Sequence, residues 1–410
     1  MKLVVMKFGG SSVANAEKIK HVGGRVINRK KDGFQVVVVV SAPGDMTDDL
    51  IELANGVAES PDDREMDMLL ATGEQASIAL LCMALKSRGE DAISLTGPQA
   101  GIFADHDHTR ARITDIKPKK IHAELAKGKI VVVAGFQGLN PNEDITTLGR
   151  GGSDLTAIAL AAALKADLCE IYTDVEGVFT TDPRVVADAR KLSDISYDEM
   201  LELAGSGAQV MQGRSVEVAK KYNVVFEVRS TFSEAPGTRI HQEVARMEDV
   251  VVSGIAFDRN QAKLSMIEVP DRPGIAAEIF GALAKVGVNV DMIIQATAQN
   301  GTNDISFTVP QGELKKALAT LEPVKVDLKA RAVLHEAGVG KVAVVGVGMR
   351  SHPGVAARMF KALADKKINI QMISTSEIKI SCIVAKDQVD AAVKVLHDAF
   401  ELGKKESVKK

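Results

Sequence analysis

Lys7 follows a short apolar run, residues 3–6, and leads directly into Phe8, Gly9, Gly10, Ser11 and Ser12. Glycines let a chain turn where side chains would clash, and Ser11 or Ser12 suits the N-cap of the helix-like pattern that follows. A strand, a Gly-rich turn and a helix also aim free backbone N–H groups and the positive end of a helix at one spot. Such a spot binds anions, phosphates above all, and Lys7 would add a full positive charge. The stretch has neither the P-loop spacing nor the dinucleotide fingerprint, so by itself it leaves a purely mechanical reading open. Four other stretches bear on the choice. Residues 146–157, TTLGRGGSDLTA, form a second Gly-rich turn opening a helix and carry Arg150, Gly151, Gly152, Ser153 and Asp154. Residues 168–184 end a strand in Thr173 and Asp174, turn at glycine again, and reach Asp182 and Arg184. Residues 39–50 end a strand at Ser41 and lead to Thr47, and residues 69–77 put Glu74 near a helix start. Two Gly-rich turns before helices, a lysine, an arginine and several acids suit phosphoryl transfer from a nucleotide to a small polar acceptor.

The elements that must hold these residues alternate along residues 1 to 230. Strands are predicted at 3–6, 36–41, 93–95, 130–134, 168–172 and 224–228, with amphipathic helices between them, among them 67–86 and 153–165. Such alternation predicts an α/β sandwich around a mainly parallel sheet. Ligands of such sheets sit beyond the carboxyl ends of the strands, where residues 7–10, 41–45, 136–138 and 173–174 fall. A breaker-rich segment ends this part near residue 245. Beyond it the sequence repeats: Asp271-Arg272-Pro273-Gly274-Ile275-Ala276-Ala277 returns as Ser351-His352-Pro353-Gly354-Val355-Ala356-Ala357, and Phe280, Asn289 and Met292 return as Phe360, Asn369 and Met372. Each copy reads strand, Pro-Gly turn, helix, Asn turn, strand. The expected organisation is a domain over 1–245 and two α+β modules over 246–335 and 336–410.

A formal charge of −3 and an aromatic content of 4% with no tryptophan argue against nucleic-acid binding. Cys82, Cys169 and Cys382 show neither metal spacing nor a disulfide framework, which fits a reducing compartment. The first residues lack a signal-peptide layout, and apolar runs such as 36–40 and 157–164 are too short to span a bilayer. The expectation is a soluble, cytoplasmic protein with no membrane partner. The histidine-bearing run DHDHT, with His106 and His108, reads as a solvated loop, and no metal site is expected.

Read together, these motifs resemble the aspartate kinases, a branch of the amino acid kinase family. KFGGSSV, the TGE at 72–74, GRGGSD, the YTDVEGV and TDPR segment, and tandem ACT-type modules carry the resemblance, which covers essentially the whole chain. It implies a three-layer amino acid kinase fold and ATP-dependent phosphorylation of the side-chain carboxylate of L-aspartate. The product would be 4-phospho-L-aspartate, the first step towards lysine, threonine, methionine and isoleucine. The acceptor is already ionised, so catalysis would rest on positioning and charge stabilisation. By resemblance Lys7 contacts the transferring phosphoryl group, Phe8, Gly9, Gly10 and Ser11 cradle the nucleotide, and Asp154 organises Lys7. Thr173, Asp174, Asp182 and Arg184 match ATP positions, with Mg2+ held mainly by phosphates. Arg150 suits the substrate α-carboxylate, and Ser41, Thr47, Glu74, Gly151, Gly152 and Ser153 complete the amino-acid site. Asp271, Gly274, Ala276, Asn289, Asp291 and Gln295 would form one effector site, with Asn369, Ile370, Ser376 and Glu377 in the matching part of the second module. Asp291 and Gln295 become Gln371 and Thr375, so the copies are not equivalent. Lysine, threonine or both are the implied effectors, and ACT pairing implies a homo-oligomer. Met247 offers an internal start for a separate regulatory subunit. A glutamate or acetylglutamate kinase is the nearest rival, and the TGE, the GRGGSD and the ACT pair weigh against it. A non-catalytic amino-acid sensor is another, against which intact Lys7, Arg150 and Asp154 weigh.

Overall fold

The computed structural model describes residues 1–208, 210–242, 251–297, 301–350 and 352–403. The chain forms two compact units, one of residues 1–178, 191–204 and 209–245, the other of residues 179–190, 205–208 and 246–410. The expected boundary near residue 245, and Met247 with it, lie outside the described residues.

The first unit contains β1 (Lys2–Phe8), β2 (Phe34–Val40), β3 (Ala92–Leu95), β4 (Ile102–Ala104), β5 (Ile113–Ile116) and β6 (Ile130–Ala134). It continues with β7 (Gln137–Leu139), β8 (Ile145–Thr147), β9 (Leu168–Thr173), β10 (Asp194–Ser196), β11 (Phe226–Ser230) and β12 (Thr238–His241). Its main sheet has the order β10-β12-β11-β9-β1-β2-β6-β3, and only the β11–β12 pairing is antiparallel. The central strands are continuous Val- and Ile-rich runs because both of their faces are covered. Alternation across β1 sends Val4, Met6 and Phe8 into a core with Val22 and Val26 of the helix Ala16–Lys31 and Leu81 and Leu85 of the helix Asp63–Lys86. The helix Gly152–Leu164 packs against β1, β2 and β9, and nearly all of its residues are buried. The strands predicted from the sequence recur within two residues at each end. A small sheet, β5-β4-β7-β8, lies beside the main one in chain order.

The helix expected to begin near residue 67 begins at Asp63, capped by Asp62, whose carboxylate accepts from the N–H groups of Arg64 and Glu65. At 24 residues it is long and apolar enough to cross a membrane by length and composition. It passes that test because its charges are widely spaced, while the uninterrupted apolar runs of the sequence remain short. The helix is amphipathic around a packed core: its apolar window is half buried, and it carries the buried Asp67 and Glu74.

The second unit holds β13 (Gly254–Pro270), β14 (Ile293–Thr297), β15 (Thr302–Pro310), β16 (Ala332–Val345), β17 (Met372–Thr375) and β18 (Lys379–Ala385) in one antiparallel sheet, ordered β14-β15-β13-β16-β18-β17. The repeat is visible in its helices, Ile275–Lys285 and Val355–Asp365, which both begin at a glycine in the left-handed region, Gly274 at φ +99° and Gly354 at φ +104°. The expected division at residue 335 falls inside β16. Ile255, at the start of β13, packs in a core with Val342, Val344 and Leu363, whereas Leu264 and Met266 further along pack with Ile279, Leu283 and Leu321. Residues 179–190 precede the expected boundary yet fold into this unit. Val186 lies in the core with Val342, the carbonyl of Thr180 accepts from Ile255 N–H at 2.7 Å, and the Thr180 hydroxyl shares a hydrogen bond with buried His397 at 3.1 Å.

Candidate active site

Lys7 is the penultimate residue of β1 and is 8% exposed. Its Nζ lies 2.5 Å from Asp154 Oδ1, at the start of the helix Gly152–Leu164. The two Gly-rich turns therefore meet at this pair. After Gly9 the chain makes a single 3-10 turn, Gly10–Ser12, and Gly9 N–H donates to the Tyr172 carbonyl at 3.3 Å. Neither serine caps the following helix. Asn15 does so, accepting from Lys18 N–H at 3.0 Å, while buried Ser12 bonds Thr231 at 2.6 Å and Ser11 stays exposed. A Cβ on Gly10 would lie 2.8 Å from the Ala42 carbonyl oxygen, so only glycine lets the 42–44 loop approach. On the second turn, Gly149 and Gly151 adopt φ +74° and +72°, and a Cβ on Gly152 would meet Phe136 and Leu148 below 3.0 Å. Arg150 projects from this turn, exposed and without an ion pair among the described residues.

Glu74 is 3% exposed and lies on the helix Asp63–Lys86. Its Oε1 accepts from Ala42 N–H at 3.0 Å, and its Oε2 is buried with no hydrogen-bond partner among the described residues. Burial pushes this carboxyl up to about 7, against the pull of the Ala42 N–H, which favours the ionised form. Ser77, one turn on, donates to the Ser41 carbonyl at 2.7 Å, so this helix holds the 41–42 turn at two points. Thr47 lies in the first turn of the helix Met46–Val57, half-buried. Ser153 is buried, its Cβ against the backbone of Gly135.

Thr173 ends β9 and bonds Asp174 at 3.0 Å in the first unit. Asp182 and Arg184 belong to the second unit, where they pair with each other at 2.7 Å, a bond that holds the Asp182 carboxyl below its ordinary range. The structure thus brings Lys7, Gly9, Gly10, Asp154, Ser41 and Glu74 into one linked set of contacts and leaves Asp182 and Arg184 with a turn ion pair of their own.

Sequence reasoning did not single out Asp67, Thr147 or Thr231, and it read His108 as solvated. The solvated-loop reading holds for exposed His106 but not for His108, whose Nδ1 lies 2.6 Å from the fully buried Asp67. The available signal was Asp67 itself, an acid seven residues before Glu74 and so on the same face of one helix.

In the second unit Asp271 accepts from the Asn303 amide at 2.9 Å, Asn289 N–H donates to Glu313 at 2.8 Å, and Gln295 sits exposed on the edge strand β14. Asp291 meets Lys341 Nζ at 2.5 Å, and Lys341 is 2% exposed. Asp291 is therefore the counter-ion of a buried lysine. Ala276 lies in the first turn of the helix after Gly274. Asn369 and Ile370 precede β17, and Ser376 N–H donates to the Lys379 carbonyl at 2.8 Å in the turn that holds Glu377.

The sequence profile of the amino acid kinase family matches residues 2–230, and ACT domain profiles match residues 264–325 and 342–400. The chain belongs to the amino acid kinase family, in its aspartate kinase branch. It is similar to the aspartokinase of Pseudomonas aeruginosa, 52% identical over 404 residues and 98% of each chain. It is 49% identical over 408 residues to that of Corynebacterium glutamicum, covering 98% of this chain and 97% of the relative. Among solved structures, Escherichia coli aspartokinase III in complex with aspartate and ADP superposes with a TM-score of 0.83 at 26% identity, covering 97% of this chain and 99% of that one. The same E. coli enzyme with lysine and aspartate gives a TM-score of 0.76 at 25% identity, covering 97% and 99%. These relatives extend over the ACT part as well as the kinase part. The family's activity, phosphorylation of aspartate, is this chain's.

Proposed function

We propose that the Lys7–Asp154 pair is the phosphoryl-transfer centre and that Arg150 and Glu74 hold the amino-acid acceptor. A side-chain carboxylate oxygen of aspartate bonds to the γ-phosphorus of ATP while the bond to the β-phosphate oxygen breaks, giving 4-phospho-L-aspartate and ADP. Lys7 stabilises the negative charge that grows on the transferring group, and the N–H groups of Gly10 and Ser11 receive the phosphates, with Phe8 and Gly9 shaping the turn beside them. Asp154 holds Lys7 in place and is already committed to it, which leaves Mg2+ to be held mainly by nucleotide phosphates. Arg150 forks onto the α-carboxylate. Glu74 faces the α-ammonium, helped by Ser41, Thr47 and Ser153. Thr173 and Asp174 hold the nucleotide at the end of β9. We also assign lysine and threonine as effectors of the ACT part, a homo-oligomer through it, and cytoplasmic biosynthesis of the aspartate-derived amino acids as the setting. The kinase domain is taken as 1–245 and the modules as 246–335 and 336–410.

The observation that carries this reading is a near-buried ammonium paired with one carboxylate where two Gly-rich turns meet. Lys7→Ala should lower turnover about a hundredfold or more, on the scale of a lost electrostatic stabiliser, with a smaller effect on aspartate affinity. Arg150→Lys, which replaces a fork by a point charge, should raise the aspartate KM and leave the ATP KM near its original value. Steady-state kinetics with each substrate varied decides both; near-normal turnover in folded Lys7→Ala removes Lys7 from the centre.

A further inference from the structure

Asp67 is fully buried and accepts from three groups. Thr109 N–H lies 3.0 and 3.1 Å from its two oxygens, the Thr147 hydroxyl donates to Oδ1 at 2.5 Å, and His108 Nδ1 lies 2.6 Å from Oδ2. These donors come from two segments outside the helix Asp63–Lys86, the loop 105–111 and the end of β8. Both segments lead to the second Gly-rich turn. Thr147 is two residues before Gly149, and a Cβ on Gly149 would lie 3.3 Å from the Thr109 carbonyl oxygen, so the turn rests on the loop that Asp67 anchors. The loop and β8 are tied to each other as well: Ala111 N–H donates to the Thr147 carbonyl at 2.9 Å, and the Arg214 guanidinium donates to the carbonyls of Leu148 at 2.9 Å and Ala111 at 2.6 Å. Thr109 takes φ +64°, a left-handed conformation costly for a β-branched residue. The loop therefore keeps a strained backbone at the point where its N–H reaches the carboxylate.

A buried carboxylate with three donors is a rigid joint, since removing any donor leaves it partly unsatisfied where water does not reach. Two turns along the same helix, Glu74 holds the 41–42 turn in the same way. One helix face thus fixes both loops assigned above to the amino-acid acceptor, while the Lys7 turn is held by Tyr172 and Thr231. We propose that Asp67, with His108 and Thr147 as its donors, is a positioning centre that sets the Gly149–Gly152 turn and hence the affinity for the amino-acid acceptor, not for the nucleotide. The inference rests on the assignment of Arg150 to that acceptor.

The test compares paired variants by steady-state kinetics, with melting curves recorded on each. His108→Ala and Thr147→Val each remove one donor and should raise the aspartate KM about tenfold, the effect of losing one hydrogen bond to a charged group, with the ATP KM and turnover within about twofold. His108→Asn and Thr147→Ser keep a donor at the same place and should restore the aspartate KM. His108 is partly exposed at the side chain, 19%, so its truncation is the variant least able to unfold the unit. Arg150→Lys is measured alongside. If it raises the aspartate KM while His108→Ala and Thr147→Val leave that constant unchanged, or shift both substrates' constants together without rescue by Asn and Ser, the positioning centre is overturned. If Arg150→Lys leaves the aspartate KM unchanged, the assignment of the turn itself falls, and the inference with it.

Discussion

Glu74 shows how much one buried atom decides. With Oε1 bonded and Oε2 without a partner among the described residues, the carboxyl is held near 7, above its ordinary value of 4.5. A folded-state pKa raised above the unfolded one means that the folded chain binds the proton more tightly. Stability therefore falls as pH rises from 4.5 to about 7 and stays lowered above that. Glu74→Gln keeps the acceptor for Ala42 and removes the cost of ionisation. It should match wild type near pH 4.5 and exceed it above pH 7 by at most about 3 kcal/mol; denaturant unfolding at the two pH values measures this. If the residue meets the substrate ammonium, the aspartate KM of wild type should fall as pH rises through 7, because the ionised form is the one that binds. Glu74→Gln should show a high KM with no such slope. A stable variant with an unaltered KM–pH profile would separate Glu74 from the substrate.

Among the elements, the turn after β1 depends on backbone meeting backbone. Gly10 receives Gly44 N–H at 3.0 Å, and its missing side chain leaves room for the Ala42 carbonyl. Gly10→Ala would push a Cβ to 2.8 Å from that oxygen, and neither partner is a flexible side chain. Turnover should drop at least about tenfold, as expected when a catalytic contact is displaced by about an ångström, and the melting temperature should fall. Gly56 is the control. It lies in the exposed helix Met46–Val57 with nothing within 4 Å of its Cβ position, so Gly56→Ala should stabilise by roughly 0.5–1 kcal/mol and leave turnover alone. Equal effects of the two substitutions would show that crowding at Gly10 is not the reason for its glycine.

For the whole molecule, regulation must pass between chemistry in one unit and effectors on the other. An effector inhibits by binding one arrangement more tightly than another, with a coupling of about 1–3 kcal/mol, or 5–150-fold. Residues 179–190 follow β9 in the chain and belong to the second unit's core, so they link covalently the two parts that such coupling must join. Asp291→Ala would strand the buried Lys341 ammonium, a costly change; Asp291→Asn keeps an oxygen opposite it and is the cleaner probe. Titrating threonine with and without lysine should inhibit wild type most strongly with both present. Asp291→Asn should need several-fold more effector for the same fractional inhibition. A wild type indifferent to both amino acids ends the regulatory assignment, and an unshifted Asp291→Asn moves the effector site elsewhere.

The sequence by itself determined the features that local physics dictates. Runs of Val and Ile marked the buried parallel strands, the two Gly-rich turns marked where backbone must come close, and the repeated Pro-Gly marked Gly274 and Gly354 at left-handed φ. Lys7, Arg150 and Asp154 stand beside those turns in the sequence, and the structure pairs Lys7 with Asp154. Partners distant in sequence were not legible. Ser12 looked like a cap, but the helix is capped by Asn15 and Ser12 bonds Thr231. His108 looked solvated because nothing near it in the chain shows the buried Asp67. Asp182 and Arg184 follow β9 in sequence, yet they fold with the other unit because Val186 finds its apolar partners there. The long strands β13 and β16 each serve two cores, which no boundary drawn along the chain could express. Backbone conformation and apolar periodicity are set within a few residues, whereas the satisfaction of a buried polar group is set by whichever segment the fold brings to it.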